Sequence, residues 1–211
     1  MPGITTPSVE EYIYTLLPAR DSVLSEMEDL ASKDHIPIVG PAVGSLLGQL
    51  ARLVNARRVF EMGSAIGYST IWWARAVATD GKVYYTDGSS ENANKAQQYI
   101  SRAGVRDRVE ILIGDSLDLI DQVEGEFDII FNDIDKHDYP NAFQKAAHRV
   151  RIGGLLVTDN VLWSGRVADP AVKDRDTAGV RMFNKMLFSD TRYSSTMIPL
   201  RDGVSIGLRV R

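Results

Sequence analysis

No cysteine occurs in the 211 residues, so the chain has neither a disulfide nor thiol chemistry, which fits a reducing compartment. No apolar run approaches the roughly 20 residues of a membrane-spanning helix. Met1 to Pro7 lack the charged start and apolar core of a signal peptide, so a cytoplasmic protein is expected. Excess positive charge is missing too. The net charge of −4 gives no reason to expect a phosphate-coating protein, and only Arg102, Arg106 and Arg108 suggest a local basic patch. The three histidines, His35, His137 and His148, have no zinc-like spacing. There is no internal repeat and no low-complexity tract. The 44% apolar and 25% charged content is that of an ordinary globular protein, and the length suits a single domain, 1–211.

What is present is an orderly alternation. Residues 1–57 read as a helical segment packed on the rest. Ser8 and Glu11 make a capping box, with Val9, Ile13, Leu16 and Leu17 on one face, and Pro18 ends that helix. Asp21 to Lys33 carries a stripe of Val23, Leu24, Met27, Leu30 and Ala31. A third helix starts near Pro41 and carries Val43, Leu46, Leu47, Leu50 and Val54. These stripes serve the core or a subunit contact, and exposed remainder on them favours a homodimer.

From residue 58, β-prone runs at Arg58 to Met62, Lys82 to Thr86, Val109 to Ile113, Phe127 to Phe131 and Leu155 to Thr158 alternate with helical stretches. Those stretches are Tyr68 to Ala78, Glu91 to Ala103, Leu117 to Val123 and Tyr139 to Val150. This order predicts an α/β fold, a parallel sheet with helices on both faces. After a helix at Ala178 to Phe188 come strands at Tyr193 to Leu200 and Val204 to Val210. The turn Arg201-Asp202-Gly203 joins them as an antiparallel pair.

Chemistry-bearing residues follow the apolar runs, where an open parallel sheet binds its ligands. The first strand leads into Glu61-Met62-Gly63-Ser64-Ala65-Ile66-Gly67-Tyr68-Ser69. This is neither the G-x-G-x-x-G of a dinucleotide turn nor a P-loop, and Glu61 repels a pyrophosphate. A carboxylate there suits the sulfonium and ammonium groups of S-adenosylmethionine. Asp87, at the second strand's end, is placed to accept hydrogen bonds from ribose hydroxyls. Gly114-Asp115-Ser116, at the third, can read an adenine. A tight turn with no ligand explains Gly63 and Gly67 as well.

Asn132-Asp133-Ile134-Asp135-Lys136 follows the fourth strand and Asp159-Asn160 the fifth. Two carboxylates and an amide form an oxygen-rich set for a hard divalent cation, with Lys136 near enough to act as a base. The plainer readings stay open. The aspartates can cap helices, Lys136 can pair with Asp133 or Asp135, and Trp163 can be a core residue rather than an aromatic wall of an acceptor pocket.

Several of these stretches resemble the cation-dependent, S-adenosylmethionine-using O-methyltransferases, the group containing the caffeoyl-CoA and catechol enzymes. They are Val59-Phe60-Glu61-Met62-Gly63, Gly67-Tyr68-Ser69, Asp133-Ile134-Asp135-Lys136 with Tyr139, Gly153-Gly154, Asp159-Asn160-Val161-Leu162-Trp163 with Gly165, and Pro199 to Gly203. The resemblance runs from about Val39 to the C-terminus. It implies the Rossmann-like seven-stranded methyltransferase sheet. It implies Asp133, Asp159 and Asn160 as ligands of Mg²⁺, with Ca²⁺ or Mn²⁺ as substitutes. Val39, Glu61, Gly63, Ser64, Ser69, Asp87, Ser116 and Asp135 match cofactor-contacting positions, and Lys136 matches the general base. The acceptor so implied is a small aromatic vicinal diol. The span Trp163 to Asn184 is shorter than in plant caffeoyl-CoA members, which argues against a CoA ester. Two other readings remain: methylation of a hydroxylated base in tRNA, and a cofactor-binding protein without catalysis.

Overall fold

The computed structural model describes residues 4 and 6–211. Three helices lead: α1 (Pro7–Leu16), α2 (Ser22–Asp34) and α3 (Gly40–Leu53). Strands and helices then alternate as β1 (Arg58–Met62), α4 (Tyr68–Ala76), β2 (Lys82–Asp87), α5 (Ser90–Arg102), β3 (Val109–Ile113), α6 (Ser116–Gln122), β4 (Phe127–Asn132), α7 (Tyr139–Ala146) and β5 (Val150–Thr158). The chain finishes with α8 (Arg175–Ser189), β6 (Tyr193–Ile198) and β7 (Val204–Arg209).

The strands form one seven-stranded sheet in the order β3-β2-β1-β4-β5-β7-β6. All pairings from β3 to β5 are parallel, and β7 runs antiparallel to both β5 and β6. The expected α/β sheet with its antiparallel pair is therefore present. Successive strand residues face opposite sides. Val59, Ile129 and Val157 belong to a core with α2, α3, α4 and α5, whereas Phe60, Ile130 and Leu156 pack against α6, α7 and α8. With both faces covered, the central strands read as continuous apolar runs.

Several local expectations change. The capping box at Ser8 does not form. Pro7 opens α1, Thr6 stands at its N-cap without a side-chain bond to a helix amide, and Ser8 lies within the helix. No residue of α1 is buried, and Val9 and Leu16 are 46% and 66% exposed. By contrast, Asp21 caps α2, accepting from the amides of Val23 at 2.9 Å and Leu24 at 3.1 Å. β5 begins at Val150, not Leu155, and α7 ends correspondingly early at Ala146. Gly153, at φ 77°, lets the strand continue through a register shift against β4, and an ion pair of Arg151 with Asp128 at 2.5 Å holds that stretch. The three arginines of the supposed basic patch are tied internally: Arg102 to Glu26, Arg106 to the Val109 carbonyl and Arg108 to the Ala74 carbonyl. No helix among the described residues is long and apolar enough to cross a membrane.

Candidate active site

The carboxyl ends of β1, β2, β3, β4 and β5 open on one cavity of ≈ 1380 Å³. That exceeds the several hundred Å³ usual for one small ligand, so there is room for two reactants. Gly63, Asp87, Ser116, Asp133, Asp135, Lys136, Asp159 and Asn160 all lie on its wall. Val39, Glu61, Ser64, Ser69 and Trp163 are not part of that wall, and the first four are buried.

The glycine turn is built by its neighbours. Gly63 and Gly67 take φ 80° and 84°, the left-handed region that suits glycine. The Ser64 amide donates to the Thr86 carbonyl at 2.9 Å, and the Ala65 amide donates to Asp87 Oδ2 at 3.0 Å. Asp87 Oδ1 also accepts from the Ser89 amide at 2.8 Å and the Asn92 side chain at 3.2 Å. One carboxylate thus fixes the first turn and the start of α5 while still facing the cavity. Beneath the turn, Glu61 is completely buried, and its Oε2 accepts from the Thr70 hydroxyl. Burial pushes its carboxyl up to about 7, against the opposing pull of the Ser69, Thr70 and Ser64 hydroxyls.

The second half of the site follows from register. Asn132 of β4 pairs with Thr158 of β5, so Asp133 and Asp159 leave neighbouring parallel strands side by side, which places their backbones about 4.8 Å apart. The Asp159 amide donates to the Asn132 carbonyl at 3.1 Å, and the Tyr139 hydroxyl donates to the Asp159 carbonyl at 2.8 Å. Asp159 is 2% exposed and its Oδ1 has no hydrogen-bond partner. Burial first, and then the facing Asp133, push its carboxyl up to about 7. Asn160 holds φ 56°, a conformation asparagine tolerates better than most residues.

Lys136 Nζ lies 2.8 Å from Asp133 Oδ1 and donates to the Ile134 carbonyl at 3.1 Å. The Tyr139 ring is 5.2 Å away and the Trp163 ring 5.8 Å. Burial alone disfavours the ammonium, but Asp133 and Tyr139 outweigh it and hold the lysine's pKa above its ordinary value. Both of these partners favour the charged ammonium over the neutral amine that a base requires. Trp163 backs this lysine rather than lining the cavity. Helix α8 presses on the same segment, since a Cβ on Gly179 would overlap the Lys136 carbonyl oxygen. His137 ties it to α8 through Asp176 at 3.1 Å.

Sequence reasoning assigned no site role to Arg201 and Asp202, which also line the cavity. Asp202 is 3% exposed, accepts from the Ser164 amide through Oδ1, and leaves Oδ2 without a partner. Its carbonyl accepts from Leu162 at 2.9 Å, while the Gly203 carbonyl accepts from Val161 at 3.0 Å. The tip of the β6–β7 hairpin thereby supports the loop after Asn160. Asn132 is also buried, with neither side-chain atom bonded.

Two carboxylates on adjacent strand ends, one with an unbonded buried oxygen, and a neighbouring amide are the donor chemistry of a hard cation. Among the described residues, no group of three or more His, Cys, Asp or Glu side chains is placed to hold a metal.

Strand order, the single antiparallel strand and the glycine turn at the cavity define a Rossmann-like, S-adenosylmethionine-dependent methyltransferase. A sequence profile described as O-methyltransferase matches residues 19–210. The catechol O-methyltransferase of Niastella koreensis is 36% identical over 199 residues, covering 92% of this chain and 90% of that protein. A caffeoyl-CoA O-methyltransferase of Eucalyptus gunnii is 31% identical over 210 residues, covering 93% and 84%. Among solved structures, the O-methyltransferase TomG of Streptomyces achromogenes, involved in tomaymycin synthesis and bound to S-adenosylmethionine, superposes with a TM-score of 0.88 at 34% identity, covering 97% and 96%. The Bacillus cereus O-methyltransferase in complex with S-adenosylhomocysteine gives 0.87 at 32%, covering 96% and 97%. The chain belongs to this O-methyltransferase family, the one containing the catechol and caffeoyl-CoA enzymes.

Proposed function

We propose that the protein methylates one hydroxyl of a small aromatic vicinal diol and that Asp133, Asp159 and Asn160 hold a divalent cation, Mg²⁺, for that reaction. The observation that carries this reading is the adjacency of Asp133 and Asp159, with Asp159 Oδ1 buried and unbonded. Lys136 serves Asp133 but not the unbonded oxygen of Asp159, and a buried acid facing a second one is costly unless a cation joins them.

Gly63, Asp87, Ser116 and Asp135 form the cofactor half of the cavity wall. Asp87 offers its carboxylate to ribose hydroxyls, and Asp135 faces the cavity with a charge opposite to the cofactor's cationic groups. Val39, Glu61, Ser64 and Ser69 support that half from behind. S-adenosylmethionine supplies a methyl group on a sulfonium, and a bound dication lowers the pKa of a hydroxyl it coordinates. Lys136 pairs with Asp133, and were that carboxylate engaged by a cation instead, burial would favour release of the lysine's own proton to solvent, leaving a neutral amine that can take the hydroxyl proton. Trp163 and Tyr139 hold the ammonium end of this lysine in place. Much of the acceleration comes from holding both reactants in one enclosed space.

The test is an acceptor screen with labelled cofactor, run with Mg²⁺ and with a chelator. Methylation of catechols that the chelator abolishes supports the reading. Equal turnover with chelator removes the cation from it, and failure on every catechol removes the diol.

A further inference from the structure

Arg201 occupies the tip of the β6–β7 hairpin at φ 50°, a left-handed conformation that side chains other than glycine rarely adopt. Glycine would sit there without strain. An uncommon backbone state of this kind marks a place where side-chain position matters. Here it sets the guanidinium on the wall of the large cavity, on the same wall as Asp159 and Asn160. Nη1 donates to the Ile38 carbonyl at 2.8 Å, and a Cβ on Gly40 would stand 3.0 Å from that same nitrogen.

Arg20, Lys136 and Arg201 are the arginine and lysine side chains on that wall among the described residues. Arg20 is clamped by Glu28, with Nε at 3.0 and 3.2 Å and Nη2 at 3.1 Å from its oxygens. Lys136 is neutralised by Asp133 at 2.8 Å. Arg201 differs. Its nearest carboxylate partner is Glu10, whose Oε1 is 4.0 Å from Nε and already accepts the Tyr14 hydroxyl at 2.8 Å. Its Nε and Nη2 therefore donate to no described residue, while Arg201 lines the same cavity as Asp159 and Asn160.

We infer that Arg201 is a specificity-determining residue that binds a carboxylate on the methyl acceptor, so that the preferred acceptors are aromatic diols carrying an acid group. This rests on the diol reading above. A guanidinium presents paired N–H donors that match the two oxygens of a carboxylate, and the pairing is stronger than a neutral hydrogen bond. The free donors of Arg201 supply that pairing, whereas Arg20 and Lys136 have none to spare.

The experiment compares Arg201→Gly with the unaltered protein on catechol and on 3,4-dihydroxybenzoate, with cofactor and Mg²⁺ present. Glycine suits φ 50°, so the melting temperature is expected to hold or rise. The ratio of kcat/KM values, acid over neutral, is expected to fall about tenfold or more, through KM, as for loss of a charge-assisted hydrogen bond. Arg201→Lys should recover part of it. An unchanged ratio, or an equal loss on both acceptors, overturns the inference. The same two compounds titrated onto protein loaded with S-adenosylhomocysteine and Mg²⁺ separate the two readings. Absence of turnover on both defeats diol methylation, while the ratio of binding constants still decides Arg201. If neither compound binds, both readings fall.

Discussion

Gly63 and Asp133 are in backbone contact: a Cβ on Gly63 would stand 2.6 Å from the Asp133 carbonyl oxygen. The turn that faces the cofactor and the segment that carries an acid of the proposed cation site thus share one surface of closest approach. Gly63→Ala would collide there and also force alanine to φ 80°, a strain of about 1–3 kcal/mol. The expected result is a lower melting temperature together with joint loss of cofactor affinity and Mg²⁺-dependent turnover. A melt and a cofactor titration check it, and loss of one function without the other would show that the contact does not link them.

Asp159→Asn removes one charge from the facing pair while keeping the shape. Without cation, the variant should melt at or above the temperature of the parent, because a buried acid with one unbonded oxygen has gone. Mg²⁺-dependent turnover should drop more than about a hundredfold, with cofactor affinity nearly retained. Retained Mg²⁺ dependence would count against Asp159 as a ligand.

Lys136→Gln tests the proton acceptor. A positioned base contributes about 10²–10⁴-fold to rate, so kcat at saturating acceptor should fall by that order. Acceptor binding should change far less. A loss confined to KM would mean that Lys136 only orders Asp133.

Glu61 and Asp159 define a pH effect whose sign is fixed by their burial. Both carboxyls are held up at about 7 in the folded chain, well above their ordinary values. The native state therefore keeps protons that the unfolded chain releases, and this contribution is lost as pH rises through about 7. The melting temperature of the cation-free protein should fall between about pH 5 and pH 8 from these groups. Glu61→Gln should flatten the fall, and Mg²⁺ should remove the part due to Asp159. A profile that rises over this interval in the Glu61→Gln-sensitive part would contradict the assignment.

The strand ends were legible because each rule is local: an apolar run followed by Asp87, Asp133 or Asp159 needs only a few residues of context. The parallel sheet with helices on both faces followed from the alternation of strands and helices. The extension of β5 was hidden because Gly153-Gly154 reads as a break, whereas the ion pair of Arg151 with Asp128 carries the strand through it. The stripe on α1 was visible, but periodicity says which face is apolar and not what covers it. Arg201 and Asp202 looked like turn residues. Their roles depend on Ile38 and on Leu162 and Ser164, partners far away in sequence. Lys136 was found, but its charge state depends on the separation from Asp133, which no spacing rule supplies.

β6 runs in the same direction as β5 and carries the chain to the catalytic edge, where β7 starts back antiparallel to both, with Ser205 beside Thr158. The five-residue hairpin tip, 199–203, accordingly lands where the parallel strands discharge their loops. It is anchored by strands on both sides yet contributes no rung to the ladder. Within the tip the duties are divided: Asp202 and Gly203 hold the loop after Asn160, whereas Arg201 faces the cavity, so a change at Arg201 alone leaves both the sheet and that loop's supports in place.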